Sequence, residues 1–216
     1  MKESRLFHPS SRPAGHGITI GTPRMYDLSA NLLFFGTRRR TYRTLLEAAR
    51  VKPDDHTLDI GCGPGYLTRM LADAVGPAGS AIGIDAAPEM IEYARRKAGR
   101  LPNCRFEAGT AESLPSADGS LDVVISSLMM HHLPEEIRLR AVREMKRVLR
   151  PAGTLLLADF TIPKQGVWHL VGLLHRPREM MHRISPLEPL ITEAGFTDVR
   201  SGEAPPWLHY VRATKP

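Results

Sequence analysis

The run Leu58-Asp59-Ile60-Gly61-Cys62-Gly63-Pro64-Gly65 constrains this chain more than any other stretch. Its start reads as a buried strand and its glycines as a tight turn. An amphipathic helix follows from Tyr66, with Leu67, Met70, Leu71 and Ala74 on one stripe. Such a turn removes side chains where backbone must approach a ligand, and the helix N-terminus aims its amides into the gap. A second strand-like run, Ala81-Ile82-Gly83-Ile84-Asp85, closes on an acid twenty positions beyond Gly65. At the tip of the neighbouring strand that carboxylate can accept both hydroxyls of a ribose. Glycine turn and acid together point to a nucleoside cofactor.

The glycine spacing separates two cofactor classes. Dinucleotide folds use G-x-G-x-x-G, whose third glycine lets helix and strand pack beneath a pyrophosphate. This chain has G-x-G-x-G, preceded by Asp59. The pattern resembles motif I of the class I S-adenosylmethionine (SAM) dependent methyltransferases. Phe106 to Pro115 looks like that family's third-strand loop, Leu121 to Ser127 like its fourth strand, and Arg147 to Gly153 with Thr154–Phe160 like its helix end, turn and fifth strand. The similarity covers roughly residues 26 to 160. The nearest group is the ubiquinone/menaquinone biosynthesis methyltransferases, through Tyr26-Asp27, Phe35-Gly36…Arg39 and the Asp85-to-Met90 spacing. Cys62-Gly63-Pro64 in the turn, and His131-His132 where that group carries Arg-Asn, depart from it.

The rhythm of strand and helix from Leu58 onward predicts a parallel sheet with helices on both faces. Phe196–Ser201 and Trp207–Ala213 read as strands joined by a turn with Pro205 and Pro206, too short for anything but antiparallel pairing. With the resemblance, the expected fold is α/β and Rossmann-like: a seven-stranded, mostly parallel sheet with an antiparallel C-terminal hairpin. Residues 1–20, rich in Pro, Ser, Gly and His without a period, read as a flexible tail. Residues 21–216 read as a single domain, with a helical cover over 21–52 and a substrate-side insertion over 161–184. Ser185-Pro186-Leu187-Glu188 reads as a capping box, with its proline in the first helical turn.

Bulk properties set outer limits. Apolar residues make up 42% and charged residues 24%, values of an ordinary globular chain. No window reaches the ~18 apolar residues of a membrane span. Met1-Lys2-Glu3-Ser4-Arg5 has no apolar core of the secretory-signal kind, so cytosol is the expected compartment. Two cysteines, Cys62 and Cys104, suggest small buried thiols and no disulfide framework. The net charge of +6 resides in residues 1–50, densest at Arg38-Arg39-Arg40 and Arg43. That cluster reads either as a solvated helix face or as an attractor of an acidic partner. Aromatic interleaving of the single-strand RNA-binding kind is missing, so nucleic acid is disfavoured as a partner.

The resemblance implies SAM as cofactor and S-adenosylhomocysteine as product. It places Gly61, Cys62, Gly63 and Gly65 beneath the methionine half, with Asp59 toward the amino group directly or through water. Asp85 would hold the ribose, Ala86 and Met90 would flank the adenine, and Thr110, Ala111 and Glu112 would cup it. Ser126, on the fourth strand, joins this set, and Tyr26 with Asp27 would close over the cofactor. Thr110 stands where many relatives carry aspartate, so a hydroxyl replaces a charge toward the adenine amine.

SAM carries its own leaving group, so the main task is in-line positioning of a nucleophile, with a base only where that nucleophile must lose a proton. The candidates are His131 and His132, just past the fourth strand at the sheet edge where α/β ligands bind. His131 matches the position of an arginine that looks catalytic in the quinone enzymes. Adjacent histidines are expected to diverge, and the alternative role for both is to cap the next helix or line the pocket. His169, His175 and His182 fit no zinc spacing, and no metal is expected. Asn-Pro-Pro-aromatic does not follow the fourth strand, and no cysteine set suits arsenic. The expected acceptor is a small molecule, methylated at O, N or C. A quinone-type C-methyltransferase, an RNA- or protein-modifying enzyme and an inactive SAM-binding scaffold are the alternatives. A homodimer is compatible with the sequence.

Overall fold

A computed structural model describes residues 23–34, 36–160, 186–206 and 208–216. The expected tail at 1–20 and the insertion at 161–184, with His169, His175 and His182, lie outside the described residues, as do Phe35, Ser185 and Trp207.

The strands are β1 (His56–Ile60), β2 (Ser80–Asp85), β3 (Cys104–Ala108), β4 (Leu121–Ser127), β5 (Leu149–Phe160), β6 (Thr197–Ala204) and β7 (Leu208–Thr214). They form one seven-stranded sheet in the order β3-β2-β1-β4-β5-β7-β6. The first five run parallel, and β7 lies antiparallel between β5 and β6. The helices are α1 (Pro23–Leu33), α2 (Arg38–Ala48), α3 (Tyr66–Val75), α4 (Pro88–Ala98), α5 (Glu135–Val148) and α6 (Leu187–Glu193).

Parallel strands covered on both faces read as continuous apolar runs. Leu155-Leu156-Leu157-Ala158 in β5 is such a run, wholly buried. Leu155 and Leu157 pack with Val142, Met145 and Val148 of α5 and Ile191 of α6. Leu156 and Ala158 pack with Tyr42, Leu45 and Leu46 of α2 and Leu71 of α3. Helix α3 stops at Gly76, where φ is +70°, and Asn103 donates to the carbonyls of Ala72 (2.8 Å), which also accepts the Gly76 amide, and of Gly76 (2.7 Å).

Three expectations need correction. Strand β5 starts at Leu149, so the anticipated turn at Pro151-Ala152-Gly153 is a bulge inside the strand, between the pairings Leu121↔Leu149 and Val123↔Thr154. The Ala152 amide donates to Lys215 and the Lys215 amide to Gly153, which keeps the bulged residues in the sheet. Pro186 stands ahead of α6 at the cap position, with ψ 125°, and not in its first turn; Ser185, the expected capping residue, lies outside the described residues. The arginine cluster does not act as one surface. Arg38 is only 4% exposed, whereas Arg39, Arg40 and Arg43 face outward. Its position on the inner stripe of α2, one turn before Tyr42, carries it inward to Asp27.

Candidate active site

At the C-terminal ends of β1, β2, β4 and β5 the chain builds a cleft edge from backbone turns and a few buried polar groups. Gly61, Gly63 and Gly65 take φ values of +72°, +50° and +71°, the left-handed region that glycine adopts without a side-chain clash. The turn is tied to β2 by the amides of Gly61 (2.8 Å) and Cys62 (3.0 Å), which both donate to the Ile84 carbonyl. A Cβ on Gly61 would run into the Met129 side chain. One on Gly65 would strike the Phe106 ring and come within 2.9 Å of Ala94 Cβ. Packing therefore demands these two glycines independently of any ligand.

Asp85 closes this turn. Its carboxylate accepts the amides of Gly63 (2.8 Å) and Ala87 (2.9 Å), so strand tip, glycine turn and the start of α4 share one anion. Each oxygen keeps a further lone pair that a ribose hydroxyl can use. Burial raises the Asp85 pKa, against the lowering by those two amides. Asp59 lies behind the turn, 1% exposed, and Thr68 on α3 donates to it at 2.6 Å. Burial, with the charge of Asp85 adding, pushes the Asp59 carboxyl up to about 7. Ser126 is fully buried and its hydroxyl donates to the Ile60 carbonyl at 2.9 Å. Cys62 is buried, and burial pushes its thiol well above the usual range.

Beside Asp85, Ala86 is exposed and Met90 buried. Thr110, Ala111 and Glu112 sit on the loop after β3, where the Gly109 amide donates to the Asp85 carbonyl (3.0 Å). Arg147 of α5 holds the rest of that loop, donating to the carbonyls of Leu114 (2.9 Å) and Ser116 (3.0 Å) and to Asp118 and Glu144. Tyr26 and Asp27 lie on α1, and Asp27 accepts from Arg38 (2.7 Å) and from the Tyr93 hydroxyl of α4 (3.3 Å). The Arg38 guanidinium stacks 4.2 Å from the centre of the Tyr66 ring. Tyr66 follows Gly65 directly, so this buried cation stacks on the first side chain after the glycine turn.

His131 lies on a 3-10 turn, Met130–His132, between β4 and α5. It is 5% exposed, and its Nδ1 is 2.7 Å from Asp159 at the end of β5. The expected divergence of the two histidines is not found: a 3-10 turn brings their rings within 4.0 Å, tilted by 44°. Asp159, Thr68 and the inward Arg38 were not legible as site residues. The one available signal was an acid at the end of the otherwise apolar β5, a placement that costs free energy unless a partner waits there. Among the described residues no group of three His, Cys, Asp or Glu side chains is placed to hold a metal.

Residues 57–153 match the methyltransferase domain family. The chain is 40% identical over 155 residues to an uncharacterised 37.1 kDa protein in transposon TN4556 of Streptomyces fradiae, covering 72% of this chain and 44% of that one. It is 30% identical over 160 residues to the demethylmenaquinone methyltransferase of Staphylococcus aureus, covering 74% and 66%. The chain thus spans from under half to about two thirds of these relatives' length. Among solved structures it is similar to a SAM-dependent methyltransferase from Aquifex aeolicus, with TM-score 0.66, 23% identity, and 90% and 98% of the two chains covered. It is also similar to an arsenic(III) SAM methyltransferase from Chlamydomonas reinhardtii, with TM-score 0.59, 24% identity, and 76% and 64% covered. One fold thus serves unlike acceptors, and the acceptor has to be argued from the site. Strand order, glycine turn, strand-tip acid and sequence relatives agree: the chain belongs to the class I SAM-dependent methyltransferases.

Proposed function

We propose that this chain moves the methyl group of SAM to a small-molecule acceptor by in-line displacement and releases S-adenosylhomocysteine. The observation that carries the reading is Asp85, half-buried, ionisable and already aligned by the amides of Gly63 and Ala87. A carboxylate fixed in this way binds ribose without first having to be ordered. Gly61, Cys62 and Gly63 offer backbone to the methionine half, and Asp59 the charge for its amino group. Ala86, Met90, Thr110, Ala111 and Glu112 line the base, Ser126 supports the turn from behind, and Tyr26, a residue of α1, completes the proposed set. His131, with His132 beside it, takes the acceptor's proton.

A small acceptor is favoured over a polymer because the densest basic cluster is broken up. Arg38 turns inward to Asp27, which leaves Arg39, Arg40 and Arg43 as a thin exposed group. C-methylation of a quinone-type ring is the second reading, supported by the demethylmenaquinone methyltransferase relative. No helix among the described residues is long and apolar enough to cross a membrane. We place the enzyme in the cytosol.

The decisive experiment incubates the protein with methyl-labelled SAM and a total cell extract. Label in the low-molecular-weight fraction is the expected result. Label confined to acid-precipitable material would overturn the small-molecule reading.

Asp59 supplies a pH test. A carboxyl whose folded pKa is raised to about 7 takes up protons on folding. Its stabilising contribution is therefore complete below the unfolded value near 4 and is lost as pH rises through about 7. The unliganded protein should melt at a lower temperature at pH 8 than at pH 6, and Asp59→Asn should shrink that difference. A cationic amino group beside Asp59 favours the carboxylate, so the melting shift produced by saturating SAM should be larger at pH 8. Equal pH dependence in wild type and Asp59→Asn would refute the assignment.

A further inference from the structure

Asp159 does more than neighbour His131. Its Oδ1 lies 2.7 Å from His131 Nδ1 and accepts the Phe160 amide at 2.8 Å, while Oδ2 accepts the His131 amide at 3.2 Å. An ionised carboxylate can only accept, so the ring proton belongs on Nδ1 and the basic lone pair on Nε2. Both side chains are buried, and the Phe160 ring lies 5.7 Å from the imidazole, centre to centre. The backbone is bent to make this contact. Leu128 has φ +60°, unusual for a bulky side chain, and this turns the chain out of β4 into the 3-10 turn that faces Asp159. Strain of this kind persists where surrounding structure holds it and concentrates at functional sites. The same turn carries Met129, the residue that packs against Gly61. Base and cofactor turn thus share a wall.

We propose that Asp159 is a positioning residue that fixes His131 as an Nε2 base, and that the acceptor is accordingly a molecule with an ionisable hydroxyl, a phenol or enol. This rests on the reading of the chain as a small-molecule methyltransferase. In the step, the acceptor O–H bond breaks and its proton goes to Nε2. The freed electron pair, on oxygen or on the conjugated carbon, bonds to the methyl carbon. The C–S bond breaks, and its pair neutralises the sulfonium sulfur to give S-adenosylhomocysteine. With carbon as nucleophile, the proton at the new C–CH3 centre afterwards returns to the oxygen. The imidazolium so formed faces a carboxylate that is already in place, so its charge develops beside a fixed counter-charge. A neutral amine brings its own lone pair and a thiol ionises readily, so neither class needs this pair.

Three measurements decide the proposal. In wild type, 15N NMR should show His131 protonated at Nδ1 and bare at Nε2; the opposite tautomer overturns the role of Asp159 with no acceptor or variant required. His131→Ala should lower kcat by about 10²- to 10⁴-fold, and Asp159→Asn by roughly tenfold or more with loss of the tautomer preference, both with KM for SAM unchanged. Full activity in either variant defeats it. The methylated product should be an ether or a carbon adjacent to a hydroxyl; an N- or S-methyl product defeats the acceptor class. Label found only in polymer would instead defeat the small-molecule reading, and the tautomer measurement would still judge Asp159.

Discussion

Asp85→Ala should weaken SAM binding by about 30- to 1000-fold, the equivalent of roughly 2–4 kcal/mol for a bidentate, charge-assisted contact. Two losses combine in that figure. The ribose loses its acceptor, and the amides of Gly63 and Ala87 lose the anion that gathers them. Asp85→Asn separates the two, because the amide oxygen can still accept from one backbone N–H while the charge is gone; its binding should fall between wild type and alanine. Calorimetric titration with SAM measures both. Wild-type affinity in Asp85→Ala would remove Asp85 from the ribose site, and with it the main support for the proposed cofactor geometry.

Gly65→Val should be the most destabilising single change in the glycine turn. A φ of +71° strains any residue with a Cβ by roughly 1–2 kcal/mol. Its Cβ also meets the Phe106 ring and stands 2.9 Å from Ala94 Cβ, and overpacking of this sort costs about 1–3 kcal/mol. Together this is about 2–5 kcal/mol, a large part of the 5–15 kcal/mol that separates typical folded and unfolded states. A melting point lowered by roughly 5–20 °C is expected. Gly99→Val is the control: φ is +63° but nothing lies within 4 Å, so the strain acts alone and the drop should be smaller. Equal melting points for the two variants would show that packing against Phe106 is unimportant.

Sequence periodicity made the sheet legible because the central parallel strands are mostly apolar runs flanked by glycine or proline, whereas β3 (Cys104-Arg105-Phe106-Glu107-Ala108) is not such a run. Leu58–Gly65, Ala81–Asp85 and Leu121–Ser127 all fell where they were expected. The hairpin was legible because Pro205-Pro206 leaves no room for a crossover. What escaped notice depends on contacts between residues far apart in the chain. Asp159 and His131 are 28 positions apart, and only the β4–β5 pairing brings them together. Arg38 looked like a surface charge because its neighbours Arg39 and Arg40 are. Helical phase alone placed it on the inner stripe, and Asp27 with the Tyr66 ring completes its environment. The bulge at Pro151–Gly153 was hidden because its partner, Lys215, comes from the last residues of the chain.

Arg147 gives the proposed adenine side of the site a property that no cofactor-touching residue could supply. By fastening Leu114, Ser116 and Asp118 to α5, it ties the largely exposed segment that follows Thr110–Glu112 to the body of the fold. The freedom of that segment is therefore lost when the chain folds and not when the cofactor arrives. On the proposed cofactor geometry, discrimination among nucleobases then becomes a matter of fit to a wall already standing. On that geometry, substitutions at Thr110 should alter which base is welcome without altering how firmly the wall is built.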